Sequence, residues 1–387
     1  MSMPRVGIDV TAALAQGGGI GRYTRELVQA LAAQPTPFQL RLFSAKPPAH
    51  LPVPDPLPQA DHISYHPAPL PEKWLYRLWY RLRLPLPVQL VTGQLDLFHS
   101  PDFVLPPVAG NIPTLLTVHD LSFVHYPHTF PRVLVDYLNQ VVPWSVARAT
   151  HILADSEATR QDLLSVWGVP AEKVTVLSLG VNQSFQPASQ ADITAVRRRY
   201  QLDDAPYLLS VGTVQPRKNY QMLIQAFAAV AQQWPHTLAI AGGQGWLYEE
   251  MMAEIERQNL TGRVRFIGFV ADADLPALYS GADLFLLPSL YEGFGLPLLE
   301  AMACGTPVIT SDASCLPEVV VDRESGVETA VLLPPQDQHR WSQAMQHLLA
   351  DAPTRDRLRQ LGQQQAAHYT WQKAAHQLIM IYQQLLE

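Results

Sequence analysis

The sequence predicts an α/β protein built from two doubly wound, Rossmann-like domains, each with its own parallel sheet, that face each other across a cleft. Its 387 residues exceed the usual size of one hydrophobic core, so two domains are expected. A content of 48% hydrophobic and 16% charged residues is typical of a globular protein. Short apolar runs alternate with longer helical patterns from end to end, which indicates parallel strands joined by crossover helices.

Each half of the chain supplies six apolar runs of strand length. In the first half the predicted strands are residues 5–10, 39–43, 95–99, 114–119, 151–155 and 174–179. In the second half they are residues 207–212, 237–242, 264–268, 284–288, 307–310 and 330–333. Open α/β sheets bind ligands beyond the carboxyl ends of their strands, so motifs that follow these strands are the candidates for a functional site.

Composition indicates where the domains divide. Residues 186–206 are polar and contain prolines, as a linker would, which leaves an N-terminal domain at 1–185 and a C-terminal domain at 207–370. The helical stretch 371–387 lies beyond the last strand, and we expect it to pack back on the N-terminal domain. Prolines concentrate between positions 47 and 107, which predicts long irregular loops there and a region specific to the acceptor.

Charge and cysteine content exclude several classes of protein. The formal net charge of -7 offers no general attraction to nucleic acid, so no nucleic-acid partner is expected. The two cysteines, Cys304 and Cys315, lack metal-ligand spacing and suit buried thiols in a reducing compartment. The start lacks the apolar stretch of a signal peptide, and no segment supplies about 18 uninterrupted apolar residues. We therefore expect a cytoplasmic protein.

One basic and aromatic stretch, residues 72–83, has two interpretations. As a helix it carries one stripe of cations, Lys73, Arg77 and Arg81, and a second, apolar stripe, Leu75, Leu78, Trp79 and Leu82. The favoured interpretation is an ordinary helix packed on its own domain. The alternative is peripheral contact with anionic lipid, which would place the protein on the inner face of the membrane.

The segment 291–300 carries the most informative motif. It contains Glu292 and Glu300, two glycines around Phe294, and Pro297 in what should be the first turn of a helix. Free amides at a helix N-terminus can hold a phosphate, and carboxylates accept hydrogen bonds from the hydroxyls of a sugar. The pattern indicates a nucleotide-sugar site, although the same strand, turn and helix also occurs as a purely structural junction.

Two motifs of the first half also follow predicted strands. Glycines at 17, 18, 19 and 21 precede a helical run, where backbone amides can approach a ligand, but the spacing is not the dinucleotide fingerprint. His119 and Asp120 end the fourth strand, where an imidazole can donate to a sugar hydroxyl or transfer a proton. His99 ends the preceding strand and is a second candidate; a structural histidine is the alternative for both positions.

Adjacent cations follow the first strand of the second domain. Arg217 and Lys218 lie before a helix that should begin near Asn219, and together they can neutralise a diphosphate. Solvated surface charges are the alternative interpretation. Asp272 and Asp274 precede a helical run, so we interpret them as helix N-caps rather than as metal ligands, and no metal site is predicted.

Together these motifs resemble the family-4 retaining glycosyltransferases, a large group with the two-domain GT-B fold. The resemblance covers nearly the whole chain and is most specific in residues 292–309, residues 211–219, the glycine turn and the pair His119 and Asp120. A weaker similarity to bacterial mannosyltransferases of surface polysaccharide synthesis rests on residues 98–101 and 118–122.

The resemblance implies a role for each matching residue. Arg217 and Lys218 would hold the donor diphosphate, Glu300 the ribose, and the loop that ends at Phe269 the base. Glu292, with the backbone of Gly293, Phe294 and Gly295, would hold the transferred sugar. His119 would contact that sugar near the reacting carbon, Gly19 and Gly21 would approach the phosphates from the first domain, and His99 and Asp120 would lie on the acceptor side.

The resulting hypothesis is a retaining, metal-independent hexosyltransferase without a cofactor. It would move a hexose, with mannose favoured, from GDP-mannose or another nucleoside-diphosphate sugar to a glycan or lipid-linked glycan. In the family that it resembles, retention is attributed to same-face attack assisted by the departing phosphate, and the sequence leaves Glu292 open as a nucleophile instead. A nucleotide-sugar 2-epimerase of the same architecture and a non-catalytic nucleotide-sugar-binding partner are the alternatives.

Overall fold

The computed structural model describes residues 3–50, 57–202, 205–243, 245–246 and 249–387, and the chain divides into two compact units. Unit 1 consists of Met1–Leu121, Val133–Gly180 and Thr370–Glu387. Unit 2 consists of Ser122–Arg132 and Val181–Tyr369. Each unit has its own parallel sheet, so the predicted α/β class with two Rossmann-like domains is confirmed.

Unit 1 contains a seven-stranded parallel sheet in the order β3-β2-β1-β4-β5-β6-β7. Several of its strands, such as β5 with the sequence TLLTV, are buried along their whole length, as expected when helices cover both faces of a sheet. The strands are β1 (Arg5–Asp9), β2 (Gln39–Lys46), β3 (Ile63–Pro71), β4 (Leu97–Ser100), β5 (Thr114–Val118), β6 (His151–Ala154) and β7 (Val174–Val176).

The prediction of irregular loops between positions 47 and 107 is wrong for β3, while residues 51–56 lie outside the described residues. Strand β3 contains three prolines, Pro67, Pro69 and Pro71, and pairs in parallel with β2. It is an edge strand of the sheet, so its outer side has no neighbouring strand. A proline, which lacks an N–H, therefore leaves no hydrogen bond of the sheet unmade on that side. Because of this tolerance, a proline-rich run can form a strand.

The first seven helices are short except for those that connect the central strands. They are α1 (Thr11–Ala15), α2 (Gly19–Ala32), α3 (Glu72–Tyr76), α4 (Gln89–Thr92), α5 (Ser122–His125), α6 (Arg132–Arg148) and α7 (Glu157–Trp167). A π-helical turn, Arg77–Arg81, continues α3. In the 72–83 stretch Leu75 and Trp79 are buried, whereas the predicted core residue Leu82 is 64% exposed.

Unit 2 contains a six-stranded parallel sheet in the order β10-β9-β8-β11-β12-β13. The strands are β8 (Tyr207–Val211), β9 (Thr237–Ala241), β10 (Val264–Gly268), β11 (Leu284–Leu287), β12 (Val308–Ser311) and β13 (Val331–Leu333). The remaining helices are α8 (Gln190–Arg199), α9 (Tyr220–Gln233), α10 (Glu249–Arg257), α11 (Leu275–Ser280), α12 (Leu296–Ala303), α13 (Leu316–Val320), α14 (Gln338–Ala350), α15 (Ala352–Ala367) and α16 (Trp371–Leu386).

Helix α8 belongs to unit 2, although the sequence places it in a linker at 186–206. It is held by an ion pair between Arg199 and Asp274, with Nη1 2.7 Å from Oδ2, and the hydroxyl of Tyr200 donates to the same carboxylate at 2.8 Å. Asp274 lies at the predicted N-cap position of α11, but its side chain makes no capping hydrogen bond to this helix. The carboxylate of Asp274 instead binds Arg199 and Tyr200, and in this way it holds the segment that follows Gly180 in unit 2.

Helix α16 returns to unit 1 after the chain has completed unit 2. Its Tyr382 is fully buried and its hydroxyl lies 2.7 Å from Nδ1 of His99, at the end of β4. Gln377 donates to the carbonyl of Val176 at 2.9 Å, beside β7. No helix in the described part of the chain is long and apolar enough to cross a membrane.

Candidate active site

In unit 2, Glu292 lies at the centre of a buried cluster with two cations. Its Oε1 accepts a hydrogen bond from Nζ of Lys218 at 2.5 Å, and its Oε2 accepts one from Nη1 of Arg217 at 3.0 Å. The hydroxyl of Ser289 donates to Oε1 at 2.5 Å. Lys218 and Glu292 are each only 8% exposed, so their charges depend on one another rather than on water.

Burial opposes ionisation of Glu292, but the charges of Lys218 and Arg217 outweigh it and lower the pKa of this carboxyl to about 2. Glu292 is therefore a carboxylate with both oxygens occupied by donors. Its backbone is also fixed: its N–H donates to Oγ of Ser314 at 2.9 Å, and the thiol of Cys315 donates to its carbonyl at 3.1 Å. The predicted sugar-binding carboxylate is thus held rigidly from several directions.

The loop after Glu292 presents free backbone donors. Gly295 has φ +97, which a glycine adopts without strain, and it begins α12 with Pro297 in the first turn. Within the described residues, the amides of Gly293, Phe294 and Gly295 make no hydrogen bond. The side chain of Phe294 points inward and packs edge-on against Tyr369, with ring centroids 5.8 Å apart. This leaves the backbone, rather than the aromatic ring, to contact a ligand.

Both cations come from a short 3-10 turn, Pro216–Lys218, that follows β8. Asn219 then adopts the left-handed conformation, with φ +56, and its side chain donates to the carbonyls of Pro288 at 3.1 Å and Pro335 at 2.6 Å. The first bond joins the cation turn to the end of β11, before Glu292, and the second joins it to the segment after β13. The helix begins at Tyr220, one residue after the predicted position.

Glu300 and Phe269, which were also predicted to bind the donor, differ in their exposure to solvent. Glu300 is 2% exposed on α12, and the hydroxyl of Tyr279 donates to its Oε2 at 2.8 Å. Phe269 is 61% exposed directly after Gly268, whose φ is +73. The exposed ring is accessible to a ligand, whereas Glu300 already has a protein partner on one oxygen.

In unit 1, His119 follows β5 and pairs with Asp155, which follows β6. Its Nδ1 lies 2.7 Å from Oδ2 of Asp155, and its Nε2 lies 3.2 Å from the carbonyl of Pro101. Burial lowers the pKa of His119, but the charge and hydrogen bond of Asp155 outweigh this and raise it to about 9. Burial raises the pKa of Asp155 against the opposing effect of His119.

This geometry defines what His119 can do. The imidazolium donates both of its N–H groups to protein acceptors, so its charge is available to a ligand but neither nitrogen is free to take a proton. The rings of Tyr23 and Phe103 pack edge-on against it, with centroid distances of 4.9 and 5.4 Å. The structure therefore favours an electrostatic role for His119 over proton transfer.

The prediction that His99 faces an acceptor is wrong. His99 is 0% exposed, and its Nε2 lies 3.1 Å from the hydroxyl of Thr117 while its Nδ1 contacts Tyr382. Burial lowers the pKa of His99 to about 3, so the ring is neutral. It links β4, β5 and α16 and has no nitrogen left for a ligand. Asp120 is half-buried beside His119.

The two predicted glycines of the turn, Gly19 and Gly21, differ in how closely the backbone around them is packed. Gly19 starts α2, and a side chain there would meet nothing within 4 Å. Gly21 differs, because a Cβ at this position would lie 2.1 Å from the carbonyl oxygen of Gln16. The close approach of α1 and α2 requires glycine at 21, whereas the backbone at 19 is open to a ligand.

Several residues of the site give no clear signal in the sequence. Asp155 ends a predicted strand, and that position is the signal that could have identified it. Ser289, Ser314 and Cys315 offer none, because they meet Glu292 only in the folded chain.

Comparison with known proteins is consistent with this arrangement. Residues 17–185 match the family described as Glycosyltransferase Family 4, and residues 192–365 match Glycosyl transferases group 1. The O-antigen chain mannosyltransferase B of Escherichia coli is 32% identical over 381 residues, which cover 95% of this chain and 96% of that protein.

Solved structures share the fold over the full length. Sucrose-phosphate synthase from Thermosynechococcus elongatus is 25% identical, with a TM-score of 0.75 and 99% of both chains covered. Anabaena HepE, solved in complex with UDP and glucose, is 19% identical, with a TM-score of 0.72 over 98% of this chain and 100% of that one, and this likeness shows the fold alone. With such a relative along nearly its whole length and two Rossmann-like units, the chain belongs to the family-4 glycosyltransferases of the GT-B fold.

Proposed function

We propose that this glycosyltransferase moves a hexose, with mannose favoured, from a nucleoside-diphosphate sugar to a glycan or lipid-linked glycan, with retention of configuration. The observation that carries the proposal is the cluster of Arg217, Lys218 and Glu292 next to the free amides of residues 293–295. The mannosyltransferase relative from Escherichia coli supports the choice of mannose.

The donor diphosphate needs positive charge as its bond to the sugar breaks. Arg217 and Lys218 supply that charge from fixed positions, and the amides of Gly293, Phe294 and Gly295 supply hydrogen bonds that need no rearrangement. Such donors are preorganised because Glu292 already holds both cations. These groups could stabilise the leaving diphosphate without a metal ion.

The state of Glu292 supports retention by same-face attack rather than through a covalent sugar intermediate. A carboxylate whose pKa is about 2 and whose two oxygens already bind cations is a weak nucleophile. We infer that Glu292 orients the two cations and, through them, the donor. The acceptor hydroxyl would then give its proton to the departing phosphate.

The test is to incubate the pure protein with GDP-mannose, UDP-glucose and UDP-N-acetylglucosamine and to measure release of nucleoside diphosphate, with and without a manno-oligosaccharide acceptor. We expect GDP-mannose to be turned over, with an acceptor-dependent rate that chelation by EDTA leaves unchanged. Proton NMR of the product should show the donor's anomeric configuration. No turnover of any donor, an inverted product, or acceptor-free interconversion of a UDP sugar would contradict the proposal.

We further propose that the 72–83 stretch contacts an anionic membrane surface through its outer face. Trp74 is 51% and Leu82 64% exposed, and the cations Lys73, Arg77 and Arg81 are exposed beside them. Apolar side chains next to lysine and arginine match the acyl boundary and the charged headgroups of anionic lipid. A transferase that acts on a lipid-linked acceptor would gain from this contact because it raises the local acceptor concentration.

Vesicle co-sedimentation tests this surface. We expect the protein to bind vesicles of phosphatidylcholine with phosphatidylglycerol, more strongly at low than at high salt, and to bind pure phosphatidylcholine weakly. The double variant Trp74→Ser with Leu82→Ser should lose most of the binding. Val133→Ser is the matched control, since Val133 is 82% exposed on α6. Equal binding by the double variant and the control would refute the contact.

A further inference from the structure

Tyr23, on α2, packs against the ring of His119 but is itself closed to solvent. The two ring centroids lie 4.9 Å apart, and the ring planes are nearly perpendicular, at 82°. Tyr23 is only 1% exposed. A buried tyrosine can influence a bound substrate only through the residues that it contacts. Any effect of Tyr23 on the reaction must therefore pass through a neighbour, and His119 is the neighbour that the proposed reaction uses.

A buried chain of hydrogen bonds connects Tyr23 to the last helix of the chain. The hydroxyl of Tyr23 lies 3.3 Å from that of Thr117 on β5, which in turn lies 3.1 Å from Nε2 of His99. The chain then reaches the hydroxyl of Tyr382 on α16, 2.7 Å from Nδ1 of His99. All four side chains are buried, so a broken bond would leave a polar group unsatisfied. This cost restrains the position of the Tyr23 ring.

The first residue of α16 also contacts Tyr23. The ring centroids of Trp371 and Tyr23 lie 6.1 Å apart, and Trp371 is buried. The backbone of Trp371 has little freedom, because a Cβ on Gly180 would lie 2.1 Å from its nitrogen. Two residues of α16, Trp371 and Tyr382, therefore restrain Tyr23, one through a ring contact and one through hydrogen bonds.

The charge of His119 makes this packing important. Hydrogen bonds to Asp155 and to the carbonyl of Pro101 hold its two nitrogens, while the rings of Tyr23 and Phe103 occupy space beside the imidazolium. A fixed cation acts most strongly on a developing charge when water is excluded and the cation need not move. Loss of the Tyr23 ring would open a cavity beside His119, and movement of the imidazolium or entry of water would weaken its effect.

We propose that Tyr23 is a positioning residue for the transfer reaction: it holds the imidazolium of His119 in place, and α16 in turn holds Tyr23 through Trp371 and Tyr382. The inference rests on the proposed function, because it requires His119 to act on the reacting groups. It extends that function, because it makes the rate of transfer depend on the last helix of the chain.

Single-turnover kinetics with full-length protein and saturating donor test this role. We expect Tyr23→Leu to lower the rate about ten- to hundredfold, the loss that follows a displacement of about 1 Å, while the donor Kd stays within about twofold of the wild type. Tyr23→Phe keeps the ring and loses one hydrogen bond, so its rate should stay within about threefold of the wild type. Trp371→Leu should lower the rate by a smaller factor than Tyr23→Leu.

A double-mutant cycle separates positioning from general damage to the fold. If Tyr23 acts through His119, adding Tyr23→Leu to His119→Asn should change the rate by less than about twofold, because the imidazolium is already absent. Tyr207→Leu is the matched control. Tyr207 is equally buried, but it begins β8 at the strand end opposite to the site of unit 2. This control should lower the temperature of thermal unfolding and leave the rate unchanged.

The outcomes that contradict the inference are distinct from failure of the proposed function. The inference is overturned by a wild-type rate in folded Tyr23→Leu, by an equal loss of rate in the wild-type and His119→Asn backgrounds, or by a Tyr23→Phe variant as slow as Tyr23→Leu. If Tyr23→Leu does not fold, Trp371→Leu takes its place in the cycle, and an equal loss in both backgrounds again overturns the inference. Absence of donor turnover by the wild type would instead contradict the proposed function.

Discussion

A Lys218→Ala variant is expected to bind free nucleoside diphosphate about ten- to a hundredfold more weakly, because a charge-assisted phosphate contact contributes on the order of 1.5 to 3 kcal/mol. Lys218 Nζ lies 2.5 Å from Oε1 of Glu292, and both side chains are buried. The substitution therefore also leaves Glu292 with Arg217 as its remaining cation, and loss of a buried partner should cost roughly 3 to 5 kcal/mol of stability. Calorimetric titration and chemical denaturation measure the two effects separately.

A double variant separates binding from folding. Lys218→Ala with Glu292→Gln removes both members of the ion pair, so we expect the stability losses of the two single variants to be less than additive while diphosphate affinity stays low. Arg340→Ala is the control, since Arg340 forms an exposed ion pair with Asp337 in the same unit. If the double variant bound diphosphate as tightly as the wild type, Lys218 would be a structural partner of Glu292 and no phosphate ligand.

The same cluster should set the acid limit of stability. The pKa of Glu292 is depressed from 4.5 to about 2, so its stabilisation is fully present above pH 4.5 and is lost as the pH falls toward 2. The depression corresponds to on the order of 3 kcal/mol. Glu292→Gln should flatten the stability profile across that window, and an unchanged profile would show that Glu292 is not charge-paired in solution.

A His119→Asn variant is expected to lower the transfer rate by about two to four orders of magnitude while reducing donor affinity much less. The imidazolium is a buried cation held by Asp155 at 2.7 Å. We therefore expect its fixed charge to act on the charge that develops in the reaction. Single-turnover kinetics with the donor identified above measure the chemical step. His347→Asn is the control, since the His347 side chain is 69% exposed on α14.

The dependence on pH identifies the charged form. The pKa of His119 is raised to about 9, so both the activity and the stability that need its charge should persist below pH 6.5 and decline as the pH rises through 9. Asp155→Asn removes the carboxylate that raises this pKa, so the alkaline decline should move to lower pH. If His119→Asn weakened donor binding but left the rate unchanged, His119 would not act on the reacting groups.

Features determined by neighbouring residues could be predicted from the sequence. Helix α16 has the predicted start at Trp371 because the hydroxyl of Thr370 caps it, accepting from the N–H of Lys373 at 3.2 Å. Twelve of the strands begin or end within a few residues of their predicted positions. They could be predicted because a strand that is buried on both faces is a short, continuous run of apolar residues, which is visible in the sequence. Strand β3 was missed because its prolines suit only an edge, and edge position is a property of the assembled sheet.

The sequence by itself determined the α/β class, the approximate positions of most strands, the family and the two segments that supply Arg217, Lys218 and Glu292. Only the tertiary structure decided that Glu292 forms hydrogen bonds with both cations, that His99 is fully buried in unit 1, and that the carboxylate of Asp155 keeps His119 protonated. The physical reason is distance along the chain. Lys218 and Glu292 are 74 residues apart and His99 and Tyr382 are 283 apart, so no local pattern can show that folding brings the members of each pair into buried contact.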